Sequence, residues 1–185
     1  MDIAHVQALF RVVAAVLLFA TLTTAATTDV LHRKVYNWLT YPAIALGLAL
    51  GYGAGGLGEG LWGPGLISHL AGFALGFGLL FAVWWSRAVG GGEVKLAGAV
   101  GAIVGFPLIV PALFWSSLVG AIMGVWVLVW RGKLLSGLRS SIRYALSFRD
   151  ELPVDDPAAV KLPYGVAIAF GTILAWFLHL PGVPA

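Results

Sequence analysis

Long continuous apolar runs, not alternating ones, organise this chain. Six stretches, at about residues 6–27, 38–57, 64–85, 94–110, 112–130 and 162–180, are apolar enough to read as membrane-spanning helices, since a span needs roughly 20 such residues. In hydrocarbon every backbone polar group must be paired internally, so only helices or a closed barrel can cross. Barrel strands would show short runs alternating between apolar and polar residues. The unbroken runs therefore predict an all-α, polytopic membrane protein with six transmembrane helices. The fourth and fifth runs nearly merge, and Phe106-Pro107 and Pro111 divide them, because proline lacks the helical N–H and clashes with the preceding turn.

The connection at 131–161 is too long for a plain turn. Leu134, Leu135, Leu138, Ile142, Ala145 and Leu146 recur there at helical spacing, opposite Arg139, Ser140 and Arg143. One reading is an amphipathic helix between spans five and six, lying in the headgroup plane with its cations near anionic lipid. The other is a solvated basic loop that only sets topology. Asp150, Glu151, Asp155 and Asp156, interrupted by Pro153 and Pro157, read as a solvated acidic turn.

Composition agrees with a membrane solvent: of 185 residues 60% are hydrophobic and 10% charged, against about 25% charged in soluble domains. The length suits one bundle, so residues 1–185 are expected to form a single membrane-embedded domain. With no cysteine there is no disulfide framework, thiolate nucleophile or zinc-thiolate site. The net charge of +3 is spread through loops without a basic cluster interleaved with aromatics, so nucleic acid is not an expected partner. Arg33 and Lys34 lie in the first loop, Arg87 and Lys95 in the third, and Arg131, Lys133, Arg139, Arg143, Arg149 and Lys161 in the last. Loops two and four hold no Lys or Arg, and Arg11 alone falls outside the pattern. Lys and Arg concentrate on the cytoplasmic side of membrane proteins, which puts the odd-numbered loops in the cytoplasm and both termini outside it. The first run also has features of a cleaved signal peptide, with Arg11 as its basic end and Ala25-Ala26 near a cut. Against that, the residues just after it belong to a motif that needs the helix kept. Most of the eight Trp stand near proposed helix ends and read as interfacial belts.

Ionisable groups at membrane depth are costly and are functional candidates by default. Asp29 ends the first span and Glu93 opens the fourth, both at the proposed cytoplasmic boundary. Two carboxylates sharing a site cannot both ionise cheaply, so one is expected to keep a proton. One could then activate water while the other polarises or protonates a scissile amide. Equally, both could be interfacial charges neutralised by Arg33, Lys34 or Lys95. His69 reads as an interhelical hydrogen-bond partner and His179 lies at the far interface. Neither is paired at metal-ligand spacing, so no metal is expected.

Three motifs bear on that choice. Asp29-Val30-Leu31-His32-Arg33-Lys34-Val35-Tyr36-Asn37-Trp38-Leu39-Thr40 resembles the first aspartate region of bacterial type IV prepilin peptidases. Gly90-Gly91-Gly92-Glu93-Val94-Lys95-Leu96 is similar to the family's Gly-x-Gly-Asp-x-Lys-Leu element. Leu162-Pro163-Tyr164-Gly165 is similar to the Pro-Tyr-Gly element before its last helix. Short and free of cysteine, the chain looks closest to the small peptidases of tight-adherence (Flp) pilus systems. The resemblance implies an aspartic-type endopeptidase of the bacterial inner membrane, without a cofactor, with Asp29 and Glu93 as its acid pair. Its substrate would be a pilin precursor cut at the leader, with membrane lipid and pilus assembly proteins as further partners. Gly90 and Gly92 would serve tight turns and close substrate approach, or helix packing. Lys95 would either hold Glu93 ionised or mark the cytoplasmic edge. Asn37 would bond the loop near Asp29 or cap the second helix, and Pro163, Tyr164 and Gly165 would line the cleft. Glu93 departs from the family's aspartate. That leaves a second reading, a degenerate homologue that binds pilins or assists pilus assembly without cutting.

Overall fold

The computed structural model describes residues 3–58, 60–85, 89–132 and 163–179. Within them the chain is all helix and turn: α1 (Ile3–His32), α2 (Asn37–Gly55), α3 (Leu66–Trp85), α4 (Gly91–Trp130) and α5 (Tyr164–Leu178). The amphipathic helix expected within 131–161 lies outside the described residues, apart from its first two.

Three helices, α1, α3 and α4, are long and apolar enough to cross a membrane. The protein is therefore a multi-pass membrane protein. Apolar α5 is shorter, and α2 is diluted by Asn37, Thr40, two tyrosines and four glycines. α1 has 30 residues, about 45 Å of helix against a hydrocarbon core of roughly 30 Å. Three of its threonines return their hydroxyls to its own backbone, Thr21 to the Leu17 carbonyl at 2.7 Å, Thr27 to the Thr23 carbonyl at 2.8 Å and Thr28 to the Ala25 carbonyl at 3.1 Å. No donor on those residues is left bare to lipid. The helix ends where Arg33 enters the left-handed region, with φ 51°, and its N–H returns to the Asp29 carbonyl at 2.9 Å.

Small residues let the backbones touch. A Cβ at Gly101 would run into the Gly72 carbonyl, one at Gly47 would come within 2.7 Å of the Ala102 carbonyl, and one at Gly171 would strike the Ser116 backbone. Those contacts seat α3, α2 and α5 on α4. Residues 93–103 of α4 are almost all buried, so its first half is the centre of the bundle.

α4 spans 40 residues, too long for one crossing, and it is interrupted at Gly105, where φ is 75° and ψ 177°. The chain reverses there. A Cβ at Gly76 of α3 would strike the Ala97 carbonyl and also touch Ile109 Cδ1 at 3.4 Å. On an unbroken helix those two residues would stand roughly 18 Å apart. This corrects the expected break at Pro107 and Pro111, both of which lie inside the second half of α4. The physical reason is that a positive φ is open to glycine at little cost, while Pro107, in the first turn after the break, gives up an N–H that has little to bond. The break frees the Ala102 carbonyl and the Phe106 N–H from each other. Adjacent side chains of α3 take them up: His69 Nδ1 lies 2.8 Å from the Ala102 carbonyl oxygen, and the Phe106 N–H donates to Ser68 Oγ at 3.3 Å. Ser68 in turn donates to the Leu61 carbonyl at 2.9 Å. His69 is thus an interhelical partner that closes the break.

Candidate functional site

Glu93 is the third residue of α4, where a glutamate can fold back onto its own helix start. Its Oε2 accepts the Gly90 N–H at 2.7 Å. Gly90 has no side chain to return the bond, so only this half of a capping box forms. The other carboxylate oxygen, Oε1, accepts the Tyr164 N–H at 3.1 Å. One residue further along, the Gly165 N–H donates to Asp29 Oδ2 at 2.7 Å. The first turn of a helix has N–H groups with no partner inside the helix, and its dipole favours negative charge. α5 spends two successive amides of that turn on two acids from two other helices.

Both acids are buried, Asp29 at 3% and Glu93 at 9% exposure. They share a cleft of about 330 Å³ with the 33–37 loop and with Gly90, Gly91 and Gly92. Gly165 makes the approach possible, since a Cβ there would sit 2.7 Å from Asp29 Oδ2. Gly92 does the same for the loop, because a Cβ would come within 2.9 Å of the Val35 carbonyl oxygen. Gly90 does not use a glycine-only conformation: its φ is −81°, and a Cβ would meet the Glu93 carboxylate at an ordinary 3.7 Å. Its contribution is its N–H.

Three expectations change in detail. Asn37 does not cap α2, whose N-cap is Tyr36 with no side-chain bond; Asn37 Oδ1 instead accepts Lys95 Nζ at 2.8 Å. Lys95 also lies over the Tyr41 ring, 5.2 Å from its centre, so it ties the start of α4 to the start of α2 instead of pairing with Glu93. Tyr164 and Gly165 stand behind the carboxylates as donors, Pro163 caps the helix that carries them, and none of the three is in the cleft lining. Sequence reasoning missed Gly120. The Tyr164 ring rests on it so closely that a Cβ would lie 2.6 Å from Tyr164 Cε2. One turn earlier, Ser116 Oγ reaches the Ile168 carbonyl at 3.4 Å. The Ser116 and Gly120 pair, small residues four apart in an apolar helix, is the sequence signal that could have found this seat. Among the described residues no three metal-ligating side chains cluster.

Comparison with known proteins places these features. Residues 16–125, more than half the chain, match the type IV leader peptidase family. The chain is 35% identical over 107 residues to a prepilin leader peptidase/N-methyltransferase of Xanthomonas campestris pv. campestris, covering 54% of this chain and 35% of that protein. It is 31% identical over 115 residues to the prepilin leader peptidase/N-methyltransferase of Bacillus subtilis, covering 62% and 36% respectively. The chain thus spans about a third of the length of these curated relatives. No solved structure matches it significantly.

Proposed function

The chain belongs to the type IV leader peptidase family, and from that premise we propose that it is a membrane-embedded aspartic-type endopeptidase that removes the leader of a pilin precursor. The observation that carries the reading is the pair of buried carboxylates, Asp29 and Glu93, held side by side by the Gly165 and Tyr164 amides at a polar cleft. In the reaction one carboxylate, ionised, takes a proton from water, and the water oxygen adds to the scissile carbonyl carbon. The other, protonated, polarises the carbonyl oxygen. The C–N bond then breaks, the proton passes to the leaving amine, and the products are a carboxyl-ended leader and an amine-ended pilin. No covalent intermediate and no cofactor enter this scheme.

Glu93 fits an active site better than a decayed one. Its extra methylene, about 1.5 Å of reach, is taken up by bonds at both carboxylate oxygens, one back to Gly90 and one across to Tyr164. The reversal at Gly105 supports reading the two halves of α4 as separate crossings, which makes six spans in a single peptidase domain. In the bacterial inner membrane, the basic loops would face the cytoplasm with both termini outside. The acids and cleft then lie at the cytoplasmic boundary, beside the junction between leader and hydrophobic helix in the substrate. The motif resemblance further favours a Flp-type pilin as the substrate, with membrane lipid and pilus assembly proteins as neighbours. Co-expression with a prepilin from the same genome tests the activity: the pilin band should shift to the mature size only when the peptidase is present. An unshifted band at normal peptidase levels would favour the non-cutting reading.

A further inference from the structure

α1 is packed along only half of its length. Leu18, Thr21, Leu22, Ala25 and Asp29 are buried, whereas no described residue of α1 before Leu18 is. The N-terminal half stands off from the bundle, propped by the Phe10 ring, which rests on Gly53 of α2 so closely that a Cβ there would lie 2.6 Å from Phe10 Cε1. Between this half and the bundle is a cavity of about 320 Å³, with Gln7, Arg11 and Ala14 on one side and Leu50, Ile103 and Trp176 on the other. At about 1.5 Å per residue Arg11 lies roughly 27 Å along α1 from Asp29. The cavity is therefore at the membrane face opposite the carboxylates. Among the described residues Arg11 has no hydrogen-bond or ion-pair partner.

We propose that this cavity binds one anionic glycerophospholipid, its phosphate on Arg11 and Gln7 and an acyl chain in the gap beneath. The gap is walled mainly by apolar side chains, and its two polar α3 residues, Ser68 and His69, are already bonded at the Leu61 and Ala102 carbonyls, so it offers water few partners. A hydrocarbon chain suits such walls. A guanidinium matches phosphate with two parallel hydrogen bonds, and near the boundary it reaches headgroups by extending along its stem. Headgroups carrying a cation of their own would place that cation near Arg11, which favours lipids with net negative charge. The bound lipid would wedge the loose half of the helix whose other end carries Asp29.

The inference does not rest on the proteolytic reading, and its test needs no substrate. The full chain in mild detergent is titrated with phosphatidylglycerol or phosphatidylcholine, and bound lipid is counted by native mass spectrometry. One phosphatidylglycerol should be retained per protein, roughly tenfold more tightly than phosphatidylcholine, as one or two charge-assisted hydrogen bonds allow. Arg11→Gln should erase the preference and Arg11→Lys should keep most of it. Ala14→Trp, which fills the gap, should remove the retained lipid while α1 stays helical by circular dichroism. Equal retention of the two lipids would overturn the proposal, as would an unchanged preference in Arg11→Gln or unchanged retention in Ala14→Trp. Displacement of the lipid by millimolar inorganic phosphate would also overturn it, by showing a phosphate site that needs no chain.

Discussion

Asp29 and Glu93 accept hydrogen bonds from adjacent backbone amides, Gly165 N–H to Asp29 Oδ2 at 2.7 Å and Tyr164 N–H to Glu93 Oε1 at 3.1 Å. The acids come from different helices, yet one turn of α5 fixes both. Their separation is thus set by rigid backbone, where two flexible side chains alone would let it drift. The arrangement also gives α5 a defined part in the proposed chemistry: it positions the acids and favours negative charge between them, without lining the cleft.

Gly165→Ala should disable the site without unfolding the bundle. The new Cβ would sit 2.7 Å from Asp29 Oδ2 and 3.2 Å from Asp29 Cγ, so carboxylate and amide must part. A displacement of about 1 Å predicts on the order of a 100-fold fall in cleavage rate. Gly78→Ala on α3, where a Cβ meets nothing within 4 Å, is the matched control and should leave the rate unchanged. The measurement is initial prepilin processing, with helicity and thermal midpoint followed in parallel.

Lys95 and Asn37 should behave as one unit. The Nζ–Oδ1 bond of 2.8 Å is exposed, and exposed polar pairs contribute about 0.2–1 kcal/mol. Lys95→Met and Asn37→Ala should each lower the rate by less than about tenfold, and the double variant should be no worse than the weaker single one. The pH profile of cleavage should keep its shape in Lys95→Met. A displaced profile would mean that Lys95 serves as the counter-ion of Glu93 during turnover.

Glu93→Asp separates an adapted site from a decayed one. The shorter side chain cannot hold both the Gly90 and the Tyr164 amides from the third position of α4. Cleavage should fall, by roughly 10- to 100-fold on the misplacement argument. A rise in rate at matched membrane levels would mean that Glu93 records loss of function.

Much of this was legible in the sequence, for reasons that differ by residue. Apolar runs located the helices because lipid leaves the backbone no alternative. The placement of Asp29 and Glu93 at one end of the bundle followed from loop charges and helix direction. The break in α4 was misplaced because Pro107 and Pro111 advertise it, while the left-handed φ at Gly105 depends on Ser68 and His69 arriving from α3 to satisfy what it frees. The Pro-Tyr-Gly element was visible, but its role was not. Which amides meet which acids depends on how α5 seats on Ser116 and Gly120, a tertiary fact. The same holds for Asn37, which local pattern reads as a cap and Lys95 engages from another helix.

Topology can be checked independently of catalysis. Reporter fusions after Arg33, Arg87 and Arg143 should report cytoplasm, and fusions at Gly56 and Ala185 the opposite side. An external report from Arg143 would remove the sixth span and, with it, the common face assigned to the loops.

The acid pair itself is tested most directly by the initial rate of processing of one prepilin by membranes carrying parent, Asp29→Asn or Glu93→Gln protein at matched levels. Both substitutions keep side-chain size and remove the ionisable group. The account predicts that each variant accumulates in the membrane as the parent does and that each processes at background rate. Parental-rate cleavage by either variant would contradict it, because the carboxylates that the Tyr164 and Gly165 amides hold together would then not be the groups that do the chemistry.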